Sequence, residues 1–305
     1  MNTQSDALSP LEANVTVPVM IPASRRLYWS MRRELWENRA IYLAPLAVAA
    51  LFLLGFLISA IHPPAQMRDA MALDPMRHQE LIQQPYTFLA FFLMAISFIV
   101  SIFYCLDALH GERRDRSILF WKSLPVSDLI TVLAKASVPV LIVPLVTFAV
   151  TLFTQWIMLL LSSAVVLARG QSVATLWSHL PLFQMSLMLL FHLVAVHGLQ
   201  LAPIYAWMLL VSGWARRAVL LWAVLPPLAI GVAEKVAFNT HYFSSLLGYL
   251  FGGAPEITTG KMAMAPLTAS ALGEFLTYPG LWISLLITAA FLAAAVRLRR
   301  YREPI

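Results

Sequence analysis

The side chains of this chain that could do chemistry lie in three places. The first is DALHGERRDRSILFWKSLPVSD, residues 107–128, which packs Asp107, Glu112, Arg113, Arg114, Asp115, Arg116, Lys122 and Asp128 between two long uncharged runs. The second is His192 and His197, with Gln184 and Gln200 nearby, inside an uncharged run of 46 residues over 170–215. The third is Glu234-Lys235, which follows Arg217 after 16 uncharged residues.

None of these has the spacing of a catalytic or metal centre. Five residues put His192 and His197 about 140° apart on an α-helix, too far round to share a metal ion. Two readings stand: neutral histidines hydrogen-bonded within a bundle, or the polar lining of a path, because an ionisable group inside a membrane is a functional candidate by default. Glu234 and Lys235 are neighbours in sequence and do not face each other on a helix. They mark the outer end of a short span broken at Pro226-Pro227, or else a gate or dimer contact, since a charge left at the bilayer centre costs about 2.5–3.5 kcal/mol. No His and carboxylate cluster has ligand spacing, and no GxSxG nucleophile motif occurs. GGAPEITTGKM ends in Gly260-Lys261, but Met262 replaces the Ser or Thr of a phosphate-binding P-loop and Pro255 its first glycine. No catalytic residue, no metal and no cofactor of its own is expected.

The elements that hold these groups are membrane spans. The chain is 60% hydrophobic and 12% charged, against about 25% charged for a soluble domain, and its mean hydropathy is +0.76. An all-α integral membrane protein is expected. A helical crossing needs about 20 apolar residues, which predicts six spans at about 40–61, 86–106, 132–160, 182–211, 217–236 and 279–297. Residues 1–22 are polar or mixed, carry Asp6 and Glu12, and read as a disordered cytoplasmic tail rather than a cleaved signal; 23–305 form one transmembrane domain. With the N-terminus inside, 16 of the 21 Lys and Arg residues fall on the inner side, so both termini are expected in the cytoplasm. That distribution accounts for the net charge of +6 without any nucleic-acid role. The lone Cys105 lies in an apolar run and reads as a packing residue.

Two regions are neither spans nor simple loops. In SRRLYWSMRRELWENR, 24–39, Leu27, Tyr28, Met31 and Leu35 share one arc. Trp29 and Trp36 form a second stripe, flanked by Arg25, Arg32 and Arg39 on one side and by Arg26 and Arg33 on the other. This suits an amphipathic helix in the inner headgroup layer, where each basic residue gains about 1 kcal/mol from anionic lipid; the alternative is a plain extension of the first span. The outer region 238–276 has two apolar pieces that are too broken to cross and read as short helices dipping into the outer leaflet. Irregular backbone at that depth must be buried in protein or line a wet cavity.

In the polar loop, residues 107–124 are expected to form one short amphipathic helix ended by Pro125, with Ser127 as N-cap and Asp128 in the first turn of the third span. Ile118, Leu119, Phe120 and Trp121 together exceed what a turn needs and suit an aromatic-centred, polar-rimmed contact with another protein; a basic loop lying on lipid is the alternative. Here the chain resembles a known family. Glu112-Arg113, Ser117-Ile118-Leu119 and Leu124-Pro125-Val126-Ser127, followed by Lys135 in a long span, look like the first cytoplasmic loop of the type-two export permeases of ATP-binding-cassette transporters. Ser117-Ile118 departs from the Gly-Thr frequent there. The resemblance covers most of the chain as layout and about 25 residues as a motif.

The resemblance implies a permease, in a bacterial inner membrane, that works as a dimer, its copies meeting along the second and fifth spans, with a pair of cytosolic ATPases. The loop would be a coupling helix in which Glu112, Arg113, Arg114, Asp115, Arg116, Leu119, Phe120 and Trp121 contact the ATPase. ATP and Mg would sit on that partner, and the cargo would be a hydrophobic or amphipathic compound carried outward. Import, or a non-transporting membrane scaffold or sensor, are the other functions compatible with the sequence.

Overall fold

The computed structural model describes residues 22–61, 75–123, 126–168, 170, 172–251 and 269–301; the expected tail over 1–21 and the middle of the outer region, 252–268, lie outside them. All regular structure among the described residues is helical, and six helical segments are long and apolar enough to cross a membrane. The chain is an integral membrane protein. An N-terminal helix, Ala23–Glu37, precedes span one, Ala40–Ile61. Span two is Pro75–Ala108 and span three Asp128–Ala168. Span four begins as Leu182–Phe191, passes through a π-helical stretch, His192–Gln200, and ends as Ala202–Trp214. Spans five and six are Val219–Phe238 and Pro279–Tyr301.

Two core clusters fix the ends of the bundle. At one end Ile41, Tyr104, Cys105, Val138, Tyr205 and Leu209 pack together, with Met31 and Leu35 of the N-terminal helix against them. At the other end Tyr86, Leu89, Leu93, Met158 and Leu159 enclose Leu180, with Phe52 and Phe56 beside them. Ala295 and Leu292 of span six meet Leu109, Val132 and Leu210 near the first end, while Leu281 meets Phe191 and Ala195 further away. The N-terminal helix, the polar loop, the end of span four and the arginine-rich end of span six therefore lie together, at what we call the basic end. Cys105 is fully buried, as a packing residue should be.

The span limits differ from expectation where proline is involved. Span two begins at Pro75, eleven residues before the apolar run, because proline suits a first helical turn whose N–H needs no partner. Its 34 residues rise about 51 Å, well beyond a hydrocarbon core of about 30 Å. Span five is not broken at Pro226-Pro227; both prolines lie inside a continuous helix. Pro227 has no N–H for the carbonyl of Ala223, four residues back, and the indole N–H of Trp207 donates to that oxygen instead at 2.9 Å. Pro144 likewise leaves the Val140 carbonyl without its α-helical donor, and span three is π-helical over Val138–Ile142. Gly198 of span four lies against that carbonyl: a Cβ there would stand 2.7 Å from it. Only glycine fits.

Of the outer region, the structure describes short helices at Tyr242–Phe251 and Ala269–Thr277. They are tied inward by the Tyr278 hydroxyl donating to Tyr249 O (2.7 Å) and by Gln200 Nε2 donating to Leu250 O (3.5 Å).

Candidate functional site

The polar loop is two helices, not one. His110–Arg114 and Ser117–Ser123 are separated by Asp115 and by Arg116, whose φ of 56° is left-handed. A straight helix would turn Ile118 about 120° from Glu112. The break lets Glu112, Arg113 and Ile118 all be buried, at the cost of about 1–2 kcal/mol for a non-glycine residue in that conformation.

Glu112 enters a buried ion-pair hub. One carboxylate oxygen faces Lys135 Nζ at 3.2 Å and Arg33 at 3.4 Å; the other accepts from the Arg299 guanidinium. Arg299 also donates through Nε to Asp128 (3.1 Å). A second carboxylate, Glu34, is 1% exposed. It accepts from Lys135 (2.9 Å), Arg33 (2.7 Å) and the Tyr104 hydroxyl (2.8 Å). Burial alone would raise the Glu34 pKa, but Lys135 and Arg33 outweigh it and hold the carboxyl below its usual range. Three carboxylates thus face three cations drawn from the N-terminal helix, the loop, the start of span three and the end of span six. Charges this deep are tolerated only when paired and hydrogen-bonded.

Arg113 does a separate job. Its guanidinium donates to Gly213 O (2.9 Å) and Ala215 O (3.3 Å), satisfying carbonyls left over at the C-terminal end of span four. In return the Ser212 hydroxyl accepts from the backbone N–H groups of Leu109 (3.1 Å) and His110 (2.8 Å). Trp121 is half-buried, with the Arg33 guanidinium 3.9 Å above its ring, a cation–π contact. What remains outward is Arg114, Asp115, Arg116, Leu119 and Phe120, all exposed. Arg114 and Asp115 pair with each other at 3.0 Å. As the sequence predicts, the Ser127 hydroxyl caps span three, accepting from Ile130 N at 3.3 Å.

The other sequence-selected residues lie elsewhere. In the N-terminal helix Trp29 and Trp36 are exposed, and the Arg32 guanidinium lies 5.2 and 4.9 Å from their ring centres. Arg25 is exposed, and Arg26 and Arg33 are half-buried. His192 and His197 belong to the π-helical stretch, so the α-helical angle between them does not apply, yet their partners are separate. His192 Nδ1 faces Met188 O at 3.2 Å. Buried His197 lies 3.4 Å from both the Ser97 and Tyr205 hydroxyls. Glu234 accepts from Phe243 N (2.8 Å), Tyr242 N and the Thr240 hydroxyl (2.9 Å), capping the helix Tyr242–Phe251, while Lys235 Nζ meets His241 Nε2 at 2.8 Å. Among the described residues no group of three or more His, Cys, Asp or Glu side chains could hold a metal.

Sequence reasoning did not find the roles of Glu34, Tyr104 and Arg299. Glu34 carried one signal, an acid on the inward arc beside Met31 and Leu35 in a helix with four arginines. In comparisons with known proteins, no family model, no curated protein and no solved structure matches the chain.

Proposed function

We propose that this chain is the permease subunit of an ATP-driven transporter of the ATP-binding-cassette type, exporting a hydrophobic or amphipathic compound. It would work as two copies with two ATP-binding subunits on the cytoplasmic side, which is then the basic end. The observation that carries this reading is the loop 107–128. Its inner charges are locked to four other parts of the chain, while Arg114, Asp115, Arg116, Leu119 and Phe120 stand outward on that anchored base. A loop that merely turned the chain between spans would need neither the buried hub nor the exposed Phe120. A partner pushing on this rim would move the N-terminal helix and spans three, four and six together, which is what coupling to ATP hydrolysis requires. Six apolar spans support the permease reading. ATP and Mg belong to the partner; this chain contributes the docking rim and the path.

The partner surface should be an apolar cleft for Leu119 and Phe120, with charged groups for the exposed Arg114, Asp115 and Arg116. Aromatic centres dominate such contacts, and rim charges add less. The test is co-purification with the ATP-binding subunit and ATP turnover in reconstituted vesicles. Phe120→Ala should weaken assembly more than Arg114→Ala or Arg116→Ala singly. Wild-type binding and turnover after Phe120→Ala combined with Arg114→Glu and Arg116→Glu would rule out the coupling role.

A further inference from the structure

The N-terminal helix, Ala23–Glu37, carries two separate sets of charges. On its inner side Glu34 enters the hub, and Met31 and Leu35 pack on Ile41, Tyr104 and Val138. On the opposite side Arg25, Trp29, Arg32 and Trp36 recur at spacings of four, three and four residues. They fall within an arc of about 60°, and Glu34 lies about 180° from it. Arg25, Trp29 and Trp36 are exposed and Arg32 is half-buried. The Arg32 guanidinium stands 5.2 and 4.9 Å from the two indole centres, a cation–π contact that leaves its N–H edge free. Both acids of the helix face Arg33 instead, Glu34 at 2.7 Å and Glu37 at 3.5 Å. Among the described residues, neither Arg25 nor Arg32 meets a carboxylate within ion-pair distance.

Position and charge identify what covers this face. Span one starts at Ala40, just after the helix ends at Glu37, and the hub ties the helix to Lys135 near the start of span three. The face therefore stands at the edge of the hydrocarbon, the level at which tryptophan is enriched. Around the helix it is flanked by Tyr28 and Leu35 on one side and by Arg26, Arg33 and Glu37 on the other. It thus follows the seam between an apolar and a polar flank, as a helix lying in the headgroup layer requires. Cations at that seam without a carboxylate partner call for an anion in the same layer, and a guanidinium meets phosphate oxygens with two parallel N–H groups. We propose that this face holds anionic glycerophospholipid headgroups of the adjoining leaflet. Arg32 donates to one phosphodiester and Arg25, about two turns away, to a second, while Trp29 and Trp36 pack on glycerol and upper acyl carbons. Arg26 and Arg33, the other arginines of the helix, take no part. The site rests on span one and the hub alone and is independent of the transport assignment.

The test uses the full-length protein in nanodiscs of phosphatidylcholine, with and without a minority of phosphatidylglycerol. A ligand of the folded state raises the unfolding temperature, so phosphatidylglycerol should raise the wild-type value by several degrees. Arg25→Gln with Arg32→Gln should lose most of that rise. Arg216→Gln with Arg217→Gln removes the same charge from exposed positions between spans four and five and should keep most of it. Equal losses in the two double variants would overturn the proposal, since any basic patch would then serve. In phosphatidylcholine alone the Arg25 and Arg32 variant should unfold with wild type; a lower value would also overturn it, because the two arginines would then be holding the fold. Soluble glycerophosphate at the same phosphate concentration should give no rise, and a rise equal to that from the lipid would overturn the membrane source. Bromine-labelled chains locate the lipid. At one mole fraction of brominated lipid, the fluorescence that Trp29→Phe with Trp36→Phe removes should be quenched more strongly by brominated phosphatidylglycerol than by brominated phosphatidylcholine. Equal quenching, the result expected if a protein segment covers the face, would overturn the assignment.

Discussion

The two ends of this bundle are held by different physics. At the basic end, Glu34, Glu112, Lys135 and Arg299 are all buried, and each touches a residue far away in the chain. At the far end, Tyr86, Leu89, Leu93, Met158 and Leu159 pack by shape. Apolar contacts are non-directional, so neighbours can repack around a change of shape or an exchange of one side chain for another of similar volume. Buried ion pairs tolerate neither, because removing one member leaves the other charged and desolvated. The end that would meet a moving partner is thus the end with the most tightly specified geometry.

Breaking the hub at its centre should give the largest effect. Glu112→Ala strips Arg299, Lys135 and Arg33 of a shared acceptor, with an expected loss of about 3–5 kcal/mol, read as a lower unfolding temperature in detergent. Replacing a pair together is the sharper comparison. Glu34→Leu with Lys135→Met should cost much less than either change alone, since a buried pair exchanged for apolar groups is often neutral. Arg113→Met comes next: it leaves the Gly213 and Ala215 carbonyls without that donor, at about 1–3 kcal/mol.

The pH dependence follows from Glu34. Its carboxyl is held below the usual range when folded, so it contributes stability at pH above the unfolded value of about 4.3. That stability is lost as pH falls through the lower folded value. An acid limb below about pH 4 should therefore be shallower in Glu34→Gln, which is already weaker at neutral pH. Identical acid limbs in the two proteins would show that Glu34 is not the titrating group.

Which parts of this were legible in the sequence follows from the range of the forces. Span positions follow from runs of apolar residues, and the Ser127 cap from neighbours in the chain. Even the grouping of basic residues at one end follows from counting alternate loops. The hub does not, because Glu34 and Lys135 lie 101 residues apart, and Glu112 and Arg299 lie 187 apart; no local pattern links them. Pro226-Pro227 misled for a related reason: the donor that mends the helix, Trp207, comes from another span. In the loop, the sequence identified the region but treated its charges as one set, while the Arg116 backbone divides them into buried and exposed.

That division yields the smallest stability effect and the cleanest contrast. Arg113 and Arg114 are neighbours of the same chemistry, one buried against carbonyls and one exposed beside Asp115. Arg113→Glu would bury an anion against the carbonyl oxygens at the end of span four, where the helix dipole is also negative; the expected result is a large fall in unfolding temperature and poor recovery from the membrane. Arg114→Glu loses only solvent-exposed pairs with Asp115 and Asp107, which contribute little to stability, so its unfolding temperature should match wild type. Binding of the proposed ATP-binding subunit should respond to Arg114→Glu all the same, mainly through a slower and more salt-sensitive association, because rim charges steer encounter more than they hold a complex. A drop in unfolding temperature for Arg114→Glu as large as that for Arg113→Glu would mean that the loop is not divided in this way, and the outward rim would lose its place as the proposed docking surface.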